Sequence, residues 1–91
     1  MATFNEEEGT TLVVERTAAD VAGLEYGPVL RCITLQVYSS LAAVGLTAAV
    51  AGALADAGIS ANVIAAYHHD HVFVPADRAE EAVSILGSLT R

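Results

Sequence analysis

The spacing of apolar residues changes from a period of two to a period near 3.6 midway along the chain. Apolar and polar residues alternate over Leu30–Tyr38, which predicts a strand with one face in a core. Ser39–Val44 then turns the chain, and Gly45 opens a long helix. The apolar stripe of that helix consists of Leu46, Val50, Ala53, Leu54 and Ala57. The pattern therefore predicts a strand followed directly by an amphipathic helix.

The segment after this helix predicts a tight turn and two further strands. Gly58 can take the left-handed conformation that ends a helix, and Ile59 is placed to fold back onto its last turn. Ser60–Tyr67 is apolar on both sides, which is typical of a central or doubly covered strand. His69 and Asp70 predict a hairpin turn onto a last strand, Val72–Val74, which Pro75 ends.

The two ends of the chain complete the pattern with a hairpin, a short helix and a closing helix. Ala2–Asn5 is predicted to be extended, Glu6–Gly9 to turn, and Thr11–Val14 to form a strand. A capping box predicts that Thr17 begins a short helix with two inward residues, Val21 and Leu24. Asp77 and Glu80 predict the start of the closing helix, whose apolar positions are Ala79, Ala82, Val83, Leu86 and Leu89.

This order of elements predicts an α+β fold with two layers, an antiparallel sheet carrying the two longer helices on one face. The 91 residues suffice for one modest core, so we expect a single domain over residues 1–91, with residues 1–10 as a candidate loose hairpin arm.

Composition and charge exclude several classes of function. The chain has four arginines, no lysine and a net charge of -7, so we expect neither nucleic acid nor an anionic membrane as a partner. Polar residues interrupt the uncharged stretch from Cys32 to Ala55, which leaves its apolar tract too short for a membrane span. The first residues lack the basic and apolar regions of a signal peptide, which favours a cytoplasmic location.

The single cysteine and the histidines are the residues most often associated with chemistry. Cys32 lies in a strand-like run without a base beside it in sequence, so we interpret it as a small apolar side chain. His68, His69, Asp70 and His71 fit a hairpin, an adventitious metal site or a physiological metal site, and hairpin structure is favoured because three or four ligands must converge. We assign no metal and no cofactor. Because nucleophile and phosphate-binding motifs are absent from the sequence, we expect no enzymatic activity.

Two segments resemble a known family. The order of helix, Asp-Ala-Gly-Ile and Asn-Val within Leu54–Val63 is similar to the middle of an ACT domain, a small module that binds amino acids in many biosynthetic enzymes. Val44–Val50 together with His69–Pro75 resembles small bacterial ACT-like proteins related to the ACT domains of aspartate kinases. Members of that group carry a further segment before the position of Ala2, so the resemblance implies a shortened form.

The resemblance implies a ferredoxin-like, split βαβ arrangement and a ligand site. It places the Thr11–Val14 strand at a sheet edge beside Leu30–Tyr38. In ACT domains related to those of aspartate kinases, the ligand lies between the loop that opens the first long helix and the strand that follows it. Carried onto this sequence, that site consists of Val44, Gly45 and Leu46 for backbone contacts, with Asn62 and the adjacent Val63 on the strand.

Asn62 has two open interpretations. Its side-chain amide offers both donors and an acceptor, as the amino and carboxyl groups of an amino acid require. Alternatively, it only satisfies a neighbouring backbone group.

The leading hypothesis is a non-catalytic regulatory module that binds a small amino acid, and the alternative is a structural assembly module without a ligand. Either way we expect a homodimer or a higher homo-oligomer. The reasons are the two apolar faces of Ser60–Tyr67 and an outer helix surface made of Ala48, Ala51 and Ala55, since such surfaces need cover.

Overall fold

The computed structural model describes residues 2–35 and 43–89, except for the side chains of residues 43, 44 and 46. Their elements, in chain order, are β1 (Ala2–Glu6), β2 (Gly9–Val13), α1 (Arg16–Val21), β3 (Leu30–Leu35), α2 (Ala43–Asp56), β4 (Asn62–Ala65), β5 (Asp70–Pro75), a short 3₁₀ turn (Ala76–Arg78) and α3 (Ala79–Leu89). The predicted continuation of the β3 strand over Gln36–Tyr38 lies outside the described residues, as do Ser39 and Ser40.

β3, β5 and β4 form an antiparallel sheet in that spatial order. Each edge strand pairs with β5, so Val72 lies opposite both Ile33 and Val63. The expectation of a central strand at Ser60–Tyr67 is therefore wrong for the described residues, among which β4 is an edge strand and β5 takes the centre. β4 is also shorter than expected, and the exposed Tyr67 lies beyond it in the loop before β5.

The core lies between this sheet and the helices α2 and α3. Leu54, Val72 and Val74 are fully buried, and the rest of the core cluster consists of Val50, Ile59, Ala82 and Leu86. Side chains alternate across a strand, so Val72 and Val74 place one face of β5 against the helices. Two helices on one face of an antiparallel sheet make an α+β, ferredoxin-like sandwich, which confirms the predicted fold class.

The turn after α2 follows from one glycine. Gly58 has φ 72° and donates its N–H to the Ala55 carbonyl at 2.9 Å, while the Ile59 N–H reaches the Leu54 carbonyl at 2.8 Å. This pair of bonds is the Schellman motif, which satisfies carbonyls that the helix end leaves open. Ile59 is 3% exposed against the core, so the predicted helix stop is confirmed together with its apolar contact.

The N-terminal elements form a hairpin and a short helix. β1 and β2 pair with each other around the turn Glu7–Glu8, as predicted. In the described ranges β2 has no other strand partner, so its expected place beside β3 is wrong. The side chains across the hairpin are joined by hydrogen bonds, with Thr11 donating to the Glu6 carboxylate.

The short helix α1 begins one residue before the predicted cap. Glu15 occupies the N-cap position without a side-chain hydrogen bond, so the capping box at Thr17 does not form. Val21 is 90% exposed and Leu24 46% exposed, which contradicts their expected inward orientation. After α1, the Tyr26 hydroxyl binds the Asp20 carboxylate, and this hydrogen bond raises the pKa of Tyr26 above its ordinary value of 10.0.

The two long helices have different outer surfaces. In α2, Ala48, Ala51 and Ala55 are exposed as expected, and the described part of this surface carries little charge before Asp56. In α3, Ala82 and Leu86 are buried, whereas Val83 is 53% exposed. The predicted closing helix is confirmed, but it begins later than expected, at Ala79. The 3₁₀ turn that contains Asp77 precedes the helix, and this turn has no side-chain cap.

Candidate functional site

The strand part of the predicted ligand site lies at the start of β4. Val63 is paired with Val72 and packs against the core cluster, so its side chain faces the helices. Alternation then directs the neighbouring Asn62 side chain to the opposite face, where it is exposed beside Phe73. Asn62 is thus open to a ligand through its side chain, while Val63 offers only its backbone.

The helix part of the predicted site lies in the first turn of α2. The helix begins at Ala43, so Val44, Gly45 and Leu46 belong to the helix itself and the predicted opening loop ends earlier than expected. The first N–H groups of an α-helix have no carbonyl partner within the helix, which makes this turn suited to a carboxylate. Gly45 is exposed, and a Cβ built there meets no atom within 4 Å.

These two parts lie at opposite ends of the β3–α2–β4 unit. β3 and β4 run parallel, since both pair antiparallel with β5. α2 leads from the carboxyl end of β3 to the amino end of β4, and its 14 residues span about 21 Å. Asn62 is the first residue of β4, near the end of α2, whereas Gly45 lies near the beginning. The structure therefore does not bring the two parts together for a molecule as short as an amino acid within one chain.

Arg78 holds the turn that precedes Asn62. Its Nη2 donates to the Ala57 carbonyl at 3.0 Å and its Nη1 to the Gly58 carbonyl at 3.4 Å. Its Nε forms a hydrogen bond and ion pair with Glu81 at 2.8 Å, which lowers the pKa of Glu81 and raises that of Arg78. A side chain from the 3₁₀ turn thus connects the end of α2 to the beginning of α3.

The histidines do not form a metal centre among the described residues. The loop between β4 and β5 spans residues 66–69, slightly earlier than the predicted turn at His69–Asp70, and it is closed by the Ala66 N–H to the His69 carbonyl at 3.0 Å. His68 contacts the Tyr67 ring edge-on, with centroids 4.8 Å apart. Over residues 2–35 and 43–89, no three His, Cys, Asp or Glu side chains converge as a metal site would require.

His71 instead makes a contact that sequence reasoning missed. It points to the same face as Asn62, which we call the outer face and define by Cys32, Thr34, Asn62, Ile64, His71 and Phe73. The His71 Nδ1 lies 3.0 Å from the Thr34 Oγ1 and 4.0 Å from the Cys32 Sγ. Cys32, which we interpreted as a small apolar side chain, is exposed on this face. The only available signal was the alternation within β3, because Cys32 and His71 are 39 positions apart in the sequence and no local pattern predicts their pairing.

Comparison with known proteins identifies the family. An ACT-domain model matches residues 29–88, and a second ACT-domain model matches residues 1–31. The chain is similar to a Vibrio cholerae protein of unknown function, named as a possible transport protein, with 57% identity and a TM-score of 0.85 to its crystal structure. The match covers 94% of this chain and 66% of that one. No curated protein matches the chain. Among the described residues, no helix has the length and hydropathy needed to cross a membrane. The first ACT-domain model spans residues 29–88, well over half of the chain, so this chain belongs to the ACT-domain family.

Proposed function

We propose that this chain is a non-catalytic regulatory module that binds a free amino acid at the boundary between two copies of itself. ACT domains are regulatory modules that commonly bind small ligands, often amino acids. The observation that carries the proposal is the exposed Asn62 carboxamide at the beginning of edge strand β4, on the face opposite the helices.

The chemistry of the two parts suits the two ends of an amino acid. The Asn62 side-chain oxygen accepts a hydrogen bond from the ammonium group, and its amide donates to a carboxylate oxygen. The first turn of α2 supplies backbone N–H groups and the positive end of the helix dipole for a carboxylate. Glycine at position 45 lets a ligand approach this backbone closely.

Two copies are needed because one copy separates these parts by most of the length of α2. A second copy beside the first brings the helix beginning of one to the β4 edge of the other. The exposed alanine surface of α2 favours such packing, since small side chains allow close approach and leave apolar area to bury. A twofold arrangement would form two equivalent sites.

A thermal-shift screen of the twenty amino acids, followed by calorimetry of each hit, tests binding. A ligand at about ten times its Kd stabilises the folded state by about 1.4 kcal/mol. That corresponds to a rise in Tm of several degrees for a domain of this size. We expect Asn62→Ala to abolish the shift and Ser60→Ala, an exposed neighbour in the same turn, to retain it. A folded protein that none of the amino acids stabilises would contradict the proposal.

Mixing two variants tests whether the site spans two copies. Gly45→Leu covers the helix backbone, and Asn62→Ala removes the strand amide, so each variant alone is expected not to bind. In a mixed dimer one site carries both changes and the other carries neither, so calorimetry should recover about half of a site per chain in mixed dimers. If mixing recovers no binding although mixed dimers form, the proposed site between two copies is wrong.

The exposed surfaces also support a second candidate, a structural assembly module without a ligand. Phe4, Leu12, Val21 and Tyr67 are large apolar residues that the single chain leaves exposed. Light scattering over a concentration series distinguishes the two functions when combined with the screen. Assembly that occurs without any amino-acid ligand and is unchanged by Asn62→Ala favours the structural module.

A further inference from the structure

A strand–strand–helix unit occurs twice in the described residues, as β1–β2–α1 and as β4–β5–α3. Each unit is an antiparallel pair of strands followed, after a short turn, by a helix. The fourth residue of each helix is a buried alanine, Ala19 in α1 and Ala82 in α3. Residues 1–31 also match an ACT-domain model of their own. The N-terminal elements therefore repeat the second half of the sandwich that extends from β3 to α3.

The β4–β5–α3 unit is covered by β3 and α2. β3 pairs antiparallel with β5, and α2 packs against α3 on one face of the sheet. With this cover, Val72 and Val74 of the unit are fully buried in a cluster that includes Val50 and Leu54 of α2. One strand and one helix, adjacent in the chain, thus bury a strand–strand–helix unit in this protein.

The β1–β2–α1 unit has no equivalent cover within residues 2–35 and 43–89, where β2 pairs with β1 alone. The partly buried residues of the hairpin are Ala2 and Val13, which lie opposite each other. Alternation places Phe4 and Thr11 on the same side, and we call these four residues the Phe4 face. Phe4 is 46% exposed, so this face combines an open strand edge with an uncovered aromatic ring.

We propose that the β1–β2–α1 unit binds a strand–helix segment of another polypeptide. The strand of that segment pairs antiparallel with β2, as β3 does with β5, and its helix lies beside α1 and covers the Phe4 face. A third strand and a second helix supply the packing that an isolated two-stranded hairpin lacks. This inference is independent of the proposed amino-acid site, because neither Asn62 nor the first turn of α2 takes part.

Charge identifies the kind of segment that fits. Residues 2–29 carry six carboxylates and one arginine, whereas β3 and α2 together carry only Arg31 and Asp56. The occupant should therefore resemble β3–α2, with a near-neutral or basic charge and an apolar helix stripe. A second copy of this chain fits poorly. Its β3 and α2 already cover its own β5 and α3, and its N-terminal unit would add a second set of carboxylates.

The test mixes the full chain with one probe, the part of the similar Vibrio cholerae protein that lies outside the match, produced as a separate polypeptide. This probe is suitable because the match covers 94% of this chain but 66% of that one, at 57% identity. We expect calorimetry to show one probe bound per chain. Hydrogen exchange should slow at least about tenfold in β2 and α1 when the probe is bound, because pairing and burial protect their amides.

Two substitutions in the same hairpin localise the interface. Phe4→Ser should weaken binding about tenfold, because the occupant would bury the exposed part of the ring. Leu12→Ser is the matched control, since Leu12 is 50% exposed and lies on the opposite side of the hairpin from the Phe4 face. It should retain the wild-type affinity within about twofold. Circular dichroism checks that both variants are folded.

Three results would overturn the proposal directly. They are no binding of the probe to the wild-type chain, equal weakening by Phe4→Ser and Leu12→Ser, and slowed exchange in β4 instead of β2. Sedimentation velocity without the probe tests the alternative occupant. Dimers that dissociate in Phe4→Ser but not in Leu12→Ser would show that a second copy covers the Phe4 face, which also contradicts the proposal.

Discussion

The N-terminal region, residues 2–29, and the sheet region, residues 30–35 and 43–89, use similar local structures but bury very different amounts of apolar surface. Among the described residues, eight of the nine buried apolar side chains belong to the sheet region, and only Ala19 belongs to the N-terminal region. The β1–β2 hairpin pairs its backbone fully, yet Phe4 and Leu12 are about half exposed. An isolated two-stranded hairpin is marginally stable in water, so the two regions should differ in stability.

The ends of α1 and α2 allow burial in the two regions to be compared at matched backbone geometry. Gly23 after α1 has φ 69° and Gly58 after α2 has φ 72°. At both helix ends, the N–H groups of the glycine and of the next residue donate to carbonyls of the last turn. For the residue after the glycine, the Leu24 N–H lies 2.9 Å from the Ala19 carbonyl and the Ile59 N–H lies 2.8 Å from the Leu54 carbonyl. Ile59 is 3% exposed but Leu24 is 46% exposed. The backbone motif therefore forms with or without a core, and burial separates the two regions.

The largest expected effect is the loss of a core side chain. Leu54 is fully buried, so Leu54→Ala should reduce the free energy of unfolding by about 2–5 kcal/mol through lost burial and a residual cavity. Leu12→Ala makes the same change at a side chain that is 50% exposed, and we expect an effect within about 0.5 kcal/mol. Urea unfolding at one protein concentration measures both. Similar losses for the two variants would remove the distinction between the regions.

A smaller effect is expected at the two glycines. Gly58→Ala forces a side chain into the left-handed conformation and should cost about 1–2 kcal/mol of unfolding free energy. Gly23→Ala imposes the same strain, but we expect less than about 0.5 kcal/mol, because α1 can lose its last turn without uncovering the core.

Gly52→Ala is the control for the glycine series. Gly52 lies inside α2 with open space around it, so Gly52→Ala should increase the free energy of unfolding by about 0.5–1 kcal/mol. If Gly23→Ala costs as much as Gly58→Ala in the same urea experiment, the N-terminal region unfolds cooperatively with the core.

The exposed apolar residues of the N-terminal region test whether a second copy covers them. Val21 is 90% exposed, so Val21→Ser should change the stability of the single chain by no more than about 0.5 kcal/mol. Sedimentation velocity should show weaker self-association if a second copy covers this side chain. Thr17→Ser, an exposed polar change on the same helix, is the control. Unchanged association in Val21→Ser would place the interface elsewhere.

The smallest effect concerns the exposed Arg78–Glu81 pair and appears as a pH dependence. The Arg78 hydrogen bond lowers the pKa of Glu81 below its ordinary value of 4.5. The folded state thus favours the charged carboxylate, and this stabilisation is present above pH 4.5 and is lost as the pH falls through the lowered pKa. Thermal unfolding from pH 6 to pH 3 should show a slightly weaker pH dependence in Glu81→Gln than in wild type. An equal change in Glu80→Gln would show that general charge, not this pair, is responsible.

Local sequence determined those parts of the fold that depend on neighbouring residues. The Gly58 stop, the N-terminal hairpin turn and the helical stripe with Val50 and Leu54 all appear as predicted, because backbone conformation and side-chain period act over only a few residues. The α+β class follows from the order of these elements. The ligand residues Val44, Gly45, Leu46, Asn62 and Val63 came from resemblance to the family, and their role stays a prediction.

Tertiary structure decided how the elements pair and which face each presents. β4 has apolar residues on both sides, as a central strand would, yet β5 takes the centre because Val72 and Val74 bury fully against both helices. The separation of Asn62 from the first turn of α2 follows from the parallel direction of β3 and β4, which neither strand's sequence encodes alone. The contact of Cys32 with His71 depends on strand register, and a shift of one residue would move either side chain to the other face. Register is set by the burial of the whole sheet at once, so a local pattern determines a strand while only the assembled core determines its neighbours.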